Sequence, residues 1–264
     1  VTIHEALHSW YQMLLGTNES YLAWMDEGFT SFAQNITFIN KFNEIYNLDF
    51  TNPLERSYNR YYNFIKTGLE EPLSTHSDHF STNQAYGVGS YTKGAIFLMQ
   101  LGYIIGEDKL FKGLRRYYNE WKFKHPNEYD FLRIMEKESG IELDWYIDYW
   151  VKTTHHIDYS LETKKKDDGK ISLSVNRIGK IPMPIEIEVL YQDLSTDIYY
   201  IPLSIMRGKK DNSNGKFILL EDWEWVNESY QIDLDDSDKK IKKIEINPSG
   251  KLADVDKTNN IIVF

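Results

Sequence analysis

The sequence predicts an α+β protein of more than one domain, in which a mostly helical part is followed by an all-β sandwich. Apolar residues recur with helical spacing up to about Thr154, and they alternate with polar residues after His155. A chain of 264 residues is more naturally two domains than one. We therefore predict a helical domain over residues 1–154 and a β-sandwich domain over residues 155–264.

The first two helices are predicted from amphipathic spacing and from residues that cap or end a helix. The apolar positions of Ile3–Leu15 repeat with helical spacing and stop at Gly16. Ser20 is a suitable N-cap for a second helix that runs to about Asn40. Further helices are expected near residues 89–105, 107–123, 128–138 and 143–153.

The second half of the chain has the period of β-strands. Ile171–Val175 and Ile185–Val189 place an apolar residue at every second position, as a strand with one buried face does. Similar short segments lie near residues 157–162, 197–205, 216–220, 228–233 and 241–246. Six or seven short strands at this spacing favour a β-sandwich.

Composition restricts the partners of this protein. The formal net charge is −10, which argues against a nucleic-acid partner because nucleic acid requires a basic face. The apolar runs are too short for a transmembrane segment. The chain has no cysteine, which excludes disulfides and cysteine-ligated metal sites. The compartment stays undetermined, and an extracytoplasmic one is compatible with these features.

His4-Glu5-Ala6-Leu7-His8 is an HExxH motif within the first predicted helix. Residues four apart lie on one face of a helix, so the two imidazoles can bind a single ion. Catalytic Zn²⁺ takes three protein ligands and one water, whose pKa it lowers to about 7. Glu5, next to the first histidine, can accept the proton of that water.

Glu27 is the candidate for a third ligand. It lies on the second predicted helix, with eighteen residues between it and His8. A helix–loop–helix hairpin of this length can return Glu27 to the open side of the histidine pair. Taken alone, however, a helical histidine pair is also compatible with a surface or core feature that binds no metal.

Several segments together resemble the M1 family of zinc aminopeptidases, which are gluzincins. They are His4–His8 with the eighteen-residue gap that follows, Trp24–Phe29, and Tyr91–Ala95, which is similar to the family's Tyr-x-Lys-Gly segment. Further similar segments are Trp121–Pro126 and Asp144–Trp150. The resemblance covers most of the first 154 residues and implies a thermolysin-like helical catalytic subdomain followed by a β-sandwich.

The resemblance also implies zinc as the cofactor and a peptide as the substrate. Zinc would be bound by His4, His8 and Glu27. Glu5 would be the general base that later passes its proton to the leaving amine. Tyr91 would donate a hydrogen bond to the oxyanion of the tetrahedral intermediate, a role that suits a neutral phenol.

Tyr86 is expected to line the same pocket and to contact the substrate. Without its context Tyr91 would be an ordinary core residue in a chain with 19 tyrosines, and Lys93-Gly94 supplies that context. One residue departs from the family's pattern, because Asp26 stands where the family usually has asparagine.

A second departure concerns the region upstream of Val1. The family's Gly-x-Met-Glu-Asn motif, which anchors the substrate amine, precedes the HExxH helix and is not found in this chain. We therefore expect this motif on an N-terminal domain of the same protein. Without that domain, we expect the chain to lack the residues that select a free N-terminus and to be inactive. Two alternatives stay open: a gluzincin endopeptidase, and a non-catalytic binding or structural module with a vestigial metal site.

Overall fold

The computed structural model describes residues 1–47, 52–166, 169–212, 215–235 and 239–264. Contacts within it divide the chain into two compact units, Val1–Thr154 and His155–Phe264. Helices make up the regular structure of the first unit, and strands in two sheets make up most of the second. The predicted fold class, a helical part followed by a β-sandwich, is confirmed.

The first unit contains nine α-helices and two π-helical segments within the described residues. In chain order these are α1 (Thr2–Leu7), the first π-helical segment (His8–Gln12), α2 (Met13–Leu15), α3 (Glu19–Tyr46), α4 (Glu55–Ile65), α5 (Asn83–Gly87), the second π-helical segment (Val88–Lys93), α6 (Gly94–Ile105), α7 (Glu107–Trp121), α8 (Glu128–Ser139) and α9 (Asp144–Trp150).

The helix predicted over Ile3–Leu15 is present but is not α-helical throughout. Its middle turn is the first π-helical segment, and the helix ends as expected at Gly16, whose φ is 48°. The N-cap prediction for the next helix was wrong. Asn18, not Ser20, has extended backbone angles and accepts the N–H of residue 20 at 3.2 Å. That helix, α3, also continues past Asn40 to Tyr46.

The buried α6 is the centre of the first unit. All twelve of its residues are buried. It crosses α3 where two glycines meet: a Cβ on Gly28 would lie 2.6 Å from the Cα of Gly94, and one on Gly94 would lie 2.7 Å from the carbonyl oxygen of Trp24. Only glycine permits so close an approach of two helix backbones. The crossing brings Glu27 on α3 near Tyr91, three residues before Gly94.

As far as the structure describes it, the second unit contains two sheets, whose neighbouring strands are antiparallel except for one parallel pair. The strands are β1 (Tyr159–Lys165), β2 (Lys170–Arg177), β3 (Ile185–Tyr191), β4 (Thr196–Ile201), β5 (Ile218–Leu219), β6 (Ser229–Asp235), β7 (Ile241–Ile246) and β8 (Ile261–Val263). One sheet has the order β1-β2-β6 and the other β5-β4-β3-β7-β8. In β3 every second residue is buried, as its sequence alternation predicts.

The number of strands was underestimated. Eight strands are present in the described residues, and β8 was not predicted because three consecutive apolar residues carry no alternation. None of the helices in the described ranges is both long and apolar enough to cross a membrane.

Candidate metal centre

The side chains of His4, His8 and Glu27 converge. The Nε2 atoms of the two histidines lie 3.0 Å apart. The Oε2 atom of Glu27 lies 3.0 Å from the His4 nitrogen and 3.1 Å from the His8 nitrogen. Within the described part of the chain, two groups of side chains could hold a metal, and this is the group that contains imidazoles.

The three atoms fit the coordination of zinc. Metal bonds of about 2.0–2.1 Å at tetrahedral angles separate neighbouring ligand atoms by about 3.3 Å. The observed separations of 3.0–3.1 Å are close to that value. Two imidazole nitrogens and one carboxylate oxygen are also a donor set of catalytic zinc sites that leaves a position for water.

Local structure brings the two ligand-bearing helices together. His4 lies in α1, and His8 begins the first π-helical segment one turn later. Gln12, buried at the end of that segment, donates its side-chain amide to the carbonyl oxygens of Met25 and Asp26 on α3. These bonds hold the first turns of α3 against the histidine helix.

The start of α3 is bent. Leu22 has a φ of −127° and a ψ of 36°, which are not helical. A helix that departs from ideal geometry at this point reaches the histidines with a different rotation from that of a straight helix. Glu27, one turn beyond the bend, therefore owes its direction to the bend as well as to its sequence position.

Each histidine ring has a polar partner on its other nitrogen. The Nδ1 atom of His4 lies 3.0 Å from Oε1 of Gln34, and the Nδ1 atom of His8 lies 3.4 Å from Oδ1 of Asp26. Sequence reasoning did not assign either partner. The signal for Gln34 is its position seven residues, or two turns, after Glu27 on the same helix face. The signal for Asp26 is its departure from the family pattern.

Asp26 is a buried acid with a shifted pKa. Asp26 is 8% exposed, and burial raises the pKa of its carboxyl group to about 6. The proximity of His8 lowers this pKa, whereas the carboxylates of Glu19 and Glu27 raise it. A second carboxyl group therefore lies directly beside the converging ligands.

Glu5 lines an open cavity next to the ligand group. The cavity has a volume of about 370 Å³, and His4 and Tyr91 line it as well. Its remaining walls are mainly polar residues of α3 and α4. Glu5 is exposed. A carboxylate in this position has access both to solvent and to the face of the site that carries Tyr91.

The two candidate tyrosines lie beside the ligands. Tyr91 stacks on His4, with ring centroids 5.7 Å apart and 19° between the ring planes. Burial and a hydrogen bond to Glu27 raise the pKa of Tyr91, so its phenol keeps its proton at neutral pH. Tyr86 meets the edge of Tyr91 with centroids 6.3 Å apart, and burial raises its pKa too.

The segment that carries Tyr91 is anchored by a buried ion pair. Lys93 ends the second π-helical segment and is 1% exposed. Its Nζ atom donates to Oε1 of Glu70 at 2.7 Å and to the carbonyl oxygen of Thr153 at 3.3 Å. Burial lowers the pKa of Lys93, and the carboxylate of Glu70 opposes that shift. The pair holds the π-helical segment in place two residues beyond Tyr91.

Known proteins resemble this chain in sequence. The alanine/arginine aminopeptidase of Saccharomyces cerevisiae is 24% identical over 177 residues, which are 66% of this chain and 20% of that protein. The probable aminopeptidase 2 of Sulfurisphaera tokodaii is 24% identical over 234 residues, which are 78% of this chain and 29% of that protein. The chain therefore spans less than a third of the length of these curated relatives.

The fold is also shared with a solved structure. Aminopeptidase A of Legionella pneumophila, in complex with aspartic acid, superposes with a TM-score of 0.63 at 13% identity. The superposition covers 95% of this chain and 26% of that one. The model of the Peptidase family M1 domain matches residues 1–150, more than half of the chain and all of the residues of the candidate site. This chain therefore belongs to peptidase family M1.

Proposed function

We propose that this chain carries the zinc centre of an enzyme that hydrolyses peptide bonds, and that His4, His8 and Glu27 hold the metal. The observation that carries the proposal is the convergence of two imidazole nitrogens and one carboxylate oxygen within 3.0–3.1 Å. Membership of peptidase family M1 supports the same reaction class.

Glu5 acts as the general base in this proposal. When bound, zinc supplies Lewis acidity, which lowers the pKa of water to about 7 and polarises a carbonyl oxygen. Glu5 takes a proton from the attacking water and passes it to the leaving amine as the peptide bond breaks. The place of Glu5 on the wall of the open cavity, beside His4, supports this role.

Tyr91 stabilises the negative charge that develops on the substrate's carbonyl oxygen. Its raised pKa supports the role, because a phenol that keeps its proton is a hydrogen-bond donor. The hydroxyl donates a hydrogen bond to Glu27 in the structure. In this proposal it would donate to the substrate oxygen instead during the reaction. Tyr86, at the edge of the Tyr91 ring, contacts the substrate.

The whole protein is proposed to act as an aminopeptidase. The relatives that match this chain carry that name, and the chain spans 20–29% of their length. An N-terminal domain of the same protein would then supply the groups that bind the free amine of the peptide. The resemblance to the family and the short span of the match support this assignment of amine binding to one domain and of the zinc centre to another.

Zinc titration followed by metal analysis tests the proposal. We expect about one zinc per chain, and we expect His8→Ala to abolish tight binding. His79→Ala is the matched control, because His79 is an exposed histidine of the same unit that lies outside the site. Its replacement should leave zinc binding unchanged. A wild-type chain that takes up no zinc would favour a binding module with a vestigial site. Cleavage of N-blocked peptides by the whole protein would favour an endopeptidase.

A further inference from the structure

The two histidines of the centre are supported by unlike groups. His4 has a neutral amide behind its Nδ1 atom, from Gln34 at 3.0 Å. His8 has a carboxyl group behind its Nδ1 atom, from Asp26 at 3.4 Å. Asp26 is 8% exposed and is not among the residues that line the open cavity beside Glu5 and Tyr91.

The chemistry of these groups restricts the two rings differently. A carboxylate only accepts hydrogen bonds, so the contact with Asp26 favours the tautomer of His8 that carries its proton on Nδ1. Without a metal, the carboxylate of Glu27, 3.1 Å from Nε2, favours a proton on that nitrogen instead. Metal binding requires a lone pair on Nε2, and the contact with Asp26 then leaves the proton on Nδ1. Gln34 imposes a weaker restriction, because an amide can rotate to offer either its oxygen or its NH₂ group.

Charge gives Asp26 a second effect. A divalent ion bound by two neutral imidazoles and Glu27 leaves one unit of positive charge in a largely buried site. The carboxylate of Asp26, in contact with the far side of His8, neutralises that unit. An asparagine at the same position could accept the same hydrogen bond but would leave the charge in place.

We propose that Asp26 is a positioning residue that fixes the ring and tautomer of His8 and, through its charge, strengthens zinc retention by this site. The inference rests on the proposed function in so far as the ion is zinc. The hydrogen bond and the tautomer concern the protein's own atoms and can be measured without metal.

Two measurements on the same set of variants test the proposal. The zinc dissociation constant is measured by competition with a chromophoric chelator. The tautomer of His8 is read from the ¹⁵N shifts of its ring nitrogens in metal-free protein that also carries Glu27→Ala, because the carboxylate of Glu27 otherwise favours a proton on Nε2. The variants are Asp26→Asn, which is isosteric, and Asp26→Ala. Glu19→Gln is the matched control, because Glu19 is a neighbouring carboxylate that acts on Asp26 through space and makes no contact with His8 among those described.

The expected results separate the hydrogen bond from the charge. Asp26→Ala should raise the zinc dissociation constant by about 10–100-fold and shift His8 towards the tautomer with the proton on Nε2. Asp26→Asn should weaken zinc binding by a smaller factor and restrict the tautomer less than the aspartate does, because its amide can offer either its oxygen or its NH₂ group to Nδ1. Glu19→Gln should leave the tautomer unchanged and the dissociation constant within about twofold.

Other results would overturn the inference. Unchanged zinc affinity and an unchanged His8 tautomer in Asp26→Ala would show that Asp26 positions nothing. An equal loss of affinity in Glu19→Gln would assign the effect to general electrostatics. If the wild-type chain binds no zinc, the proposed function fails. The tautomer of His8 in Glu27→Ala protein, with and without Asp26→Ala, then still decides whether Asp26 positions the ring.

Discussion

Gly28 and Gly94 touch backbone to backbone where α3 crosses α6. A Cβ on Gly28 would come within 2.6 Å of the Cα of Gly94, closer than side-chain carbons approach a backbone. Glu27 directly precedes one glycine and Tyr91 lies one turn before the other. The contact therefore sets the distance between the proposed third ligand and the proposed oxyanion donor.

Replacing Gly28 by alanine should destabilise the protein. The added methyl group meets rigid backbone, so the helices must separate, at a cost of about 1–3 kcal/mol in the free energy of unfolding. Urea unfolding measures this cost. Gly87→Ala is the control, because its added Cβ has only the end of the Arg60 side chain nearby, at 3.7 Å. Equal stability of the Gly28 variant and the wild type would contradict the close contact.

Glu5→Gln should abolish turnover and leave the metal in place. The amide cannot take a proton from water, and loss of a general base costs about 10²–10⁴-fold in rate. Zinc content and the kcat of the whole protein should be measured together. A variant that keeps both its zinc and its turnover would remove Glu5 from the role of base.

Tyr91→Phe should lower kcat with little effect on zinc binding. The phenylalanine ring can still stack on His4, but the hydrogen bond to the developing oxyanion is lost, which costs about 10²–10³-fold. Tyr86→Phe serves as the comparison, because Tyr86 touches the edge of Tyr91 and is proposed to contact substrate rather than the oxyanion. An equal fall of kcat in both variants would argue against a specific role of the Tyr91 hydroxyl.

Lys93→Met should destabilise the protein more than the loss of a surface ion pair does. It leaves Glu70, whose side chain is 7% exposed, charged and without its cation, at a cost of about 3–5 kcal/mol. Adding Glu70→Gln should recover part of that loss in urea unfolding. Lys152→Met, which breaks the exposed pair with Asp148, should cost about 1 kcal/mol or less. No recovery in the double variant would show that the loss of the cation beside Glu70 is not the cause.

Because of Asp254, the free energy of unfolding should decrease as the pH rises from about 4 to about 7. Its carboxyl group accepts the backbone N–H groups of Tyr159 at 2.9 Å and Asp256 at 3.0 Å, and burial raises its pKa to about 7. The folded protein thus binds the proton more tightly than the unfolded chain does. Its contribution to stability is full below about pH 4 and is lost as the pH rises through about 7.

Comparison with Asp254→Asn isolates this contribution. The variant lacks the titrating group, so the difference in urea midpoint between variant and wild type should change steadily from pH 4 to pH 8. Asp26, whose pKa is also raised, is present in both proteins and cancels in the difference. A difference that stays constant with pH would mean that Asp254 does not titrate in this range.

Local patterns in the sequence were sufficient for the fold class and for placing the two candidate histidines on one helix face. Helical and strand periods are properties of neighbouring residues, so the change of period near Thr154 predicted a helical part followed by a sandwich. The spacing of His4 and His8 predicted two imidazoles on one helix face for the same reason, and their Nε2 atoms lie 3.0 Å apart. Glu27 was named from its spacing on the second predicted helix and from the resemblance to a family, whereas Tyr91 came from that resemblance.

Local patterns could not predict which residues contact the second ring nitrogen of each candidate histidine. The partnership of Gln34 with His4 and of Asp26 with His8 depends on the bend at Leu22 and on the rotation with which α3 meets the histidine helix. The π-helical turns, at His8 and at Tyr91, likewise change which way side chains point without altering the hydrophobic period. These features arise from contacts between residues distant along the chain, and the energy of such contacts does not appear in any local pattern.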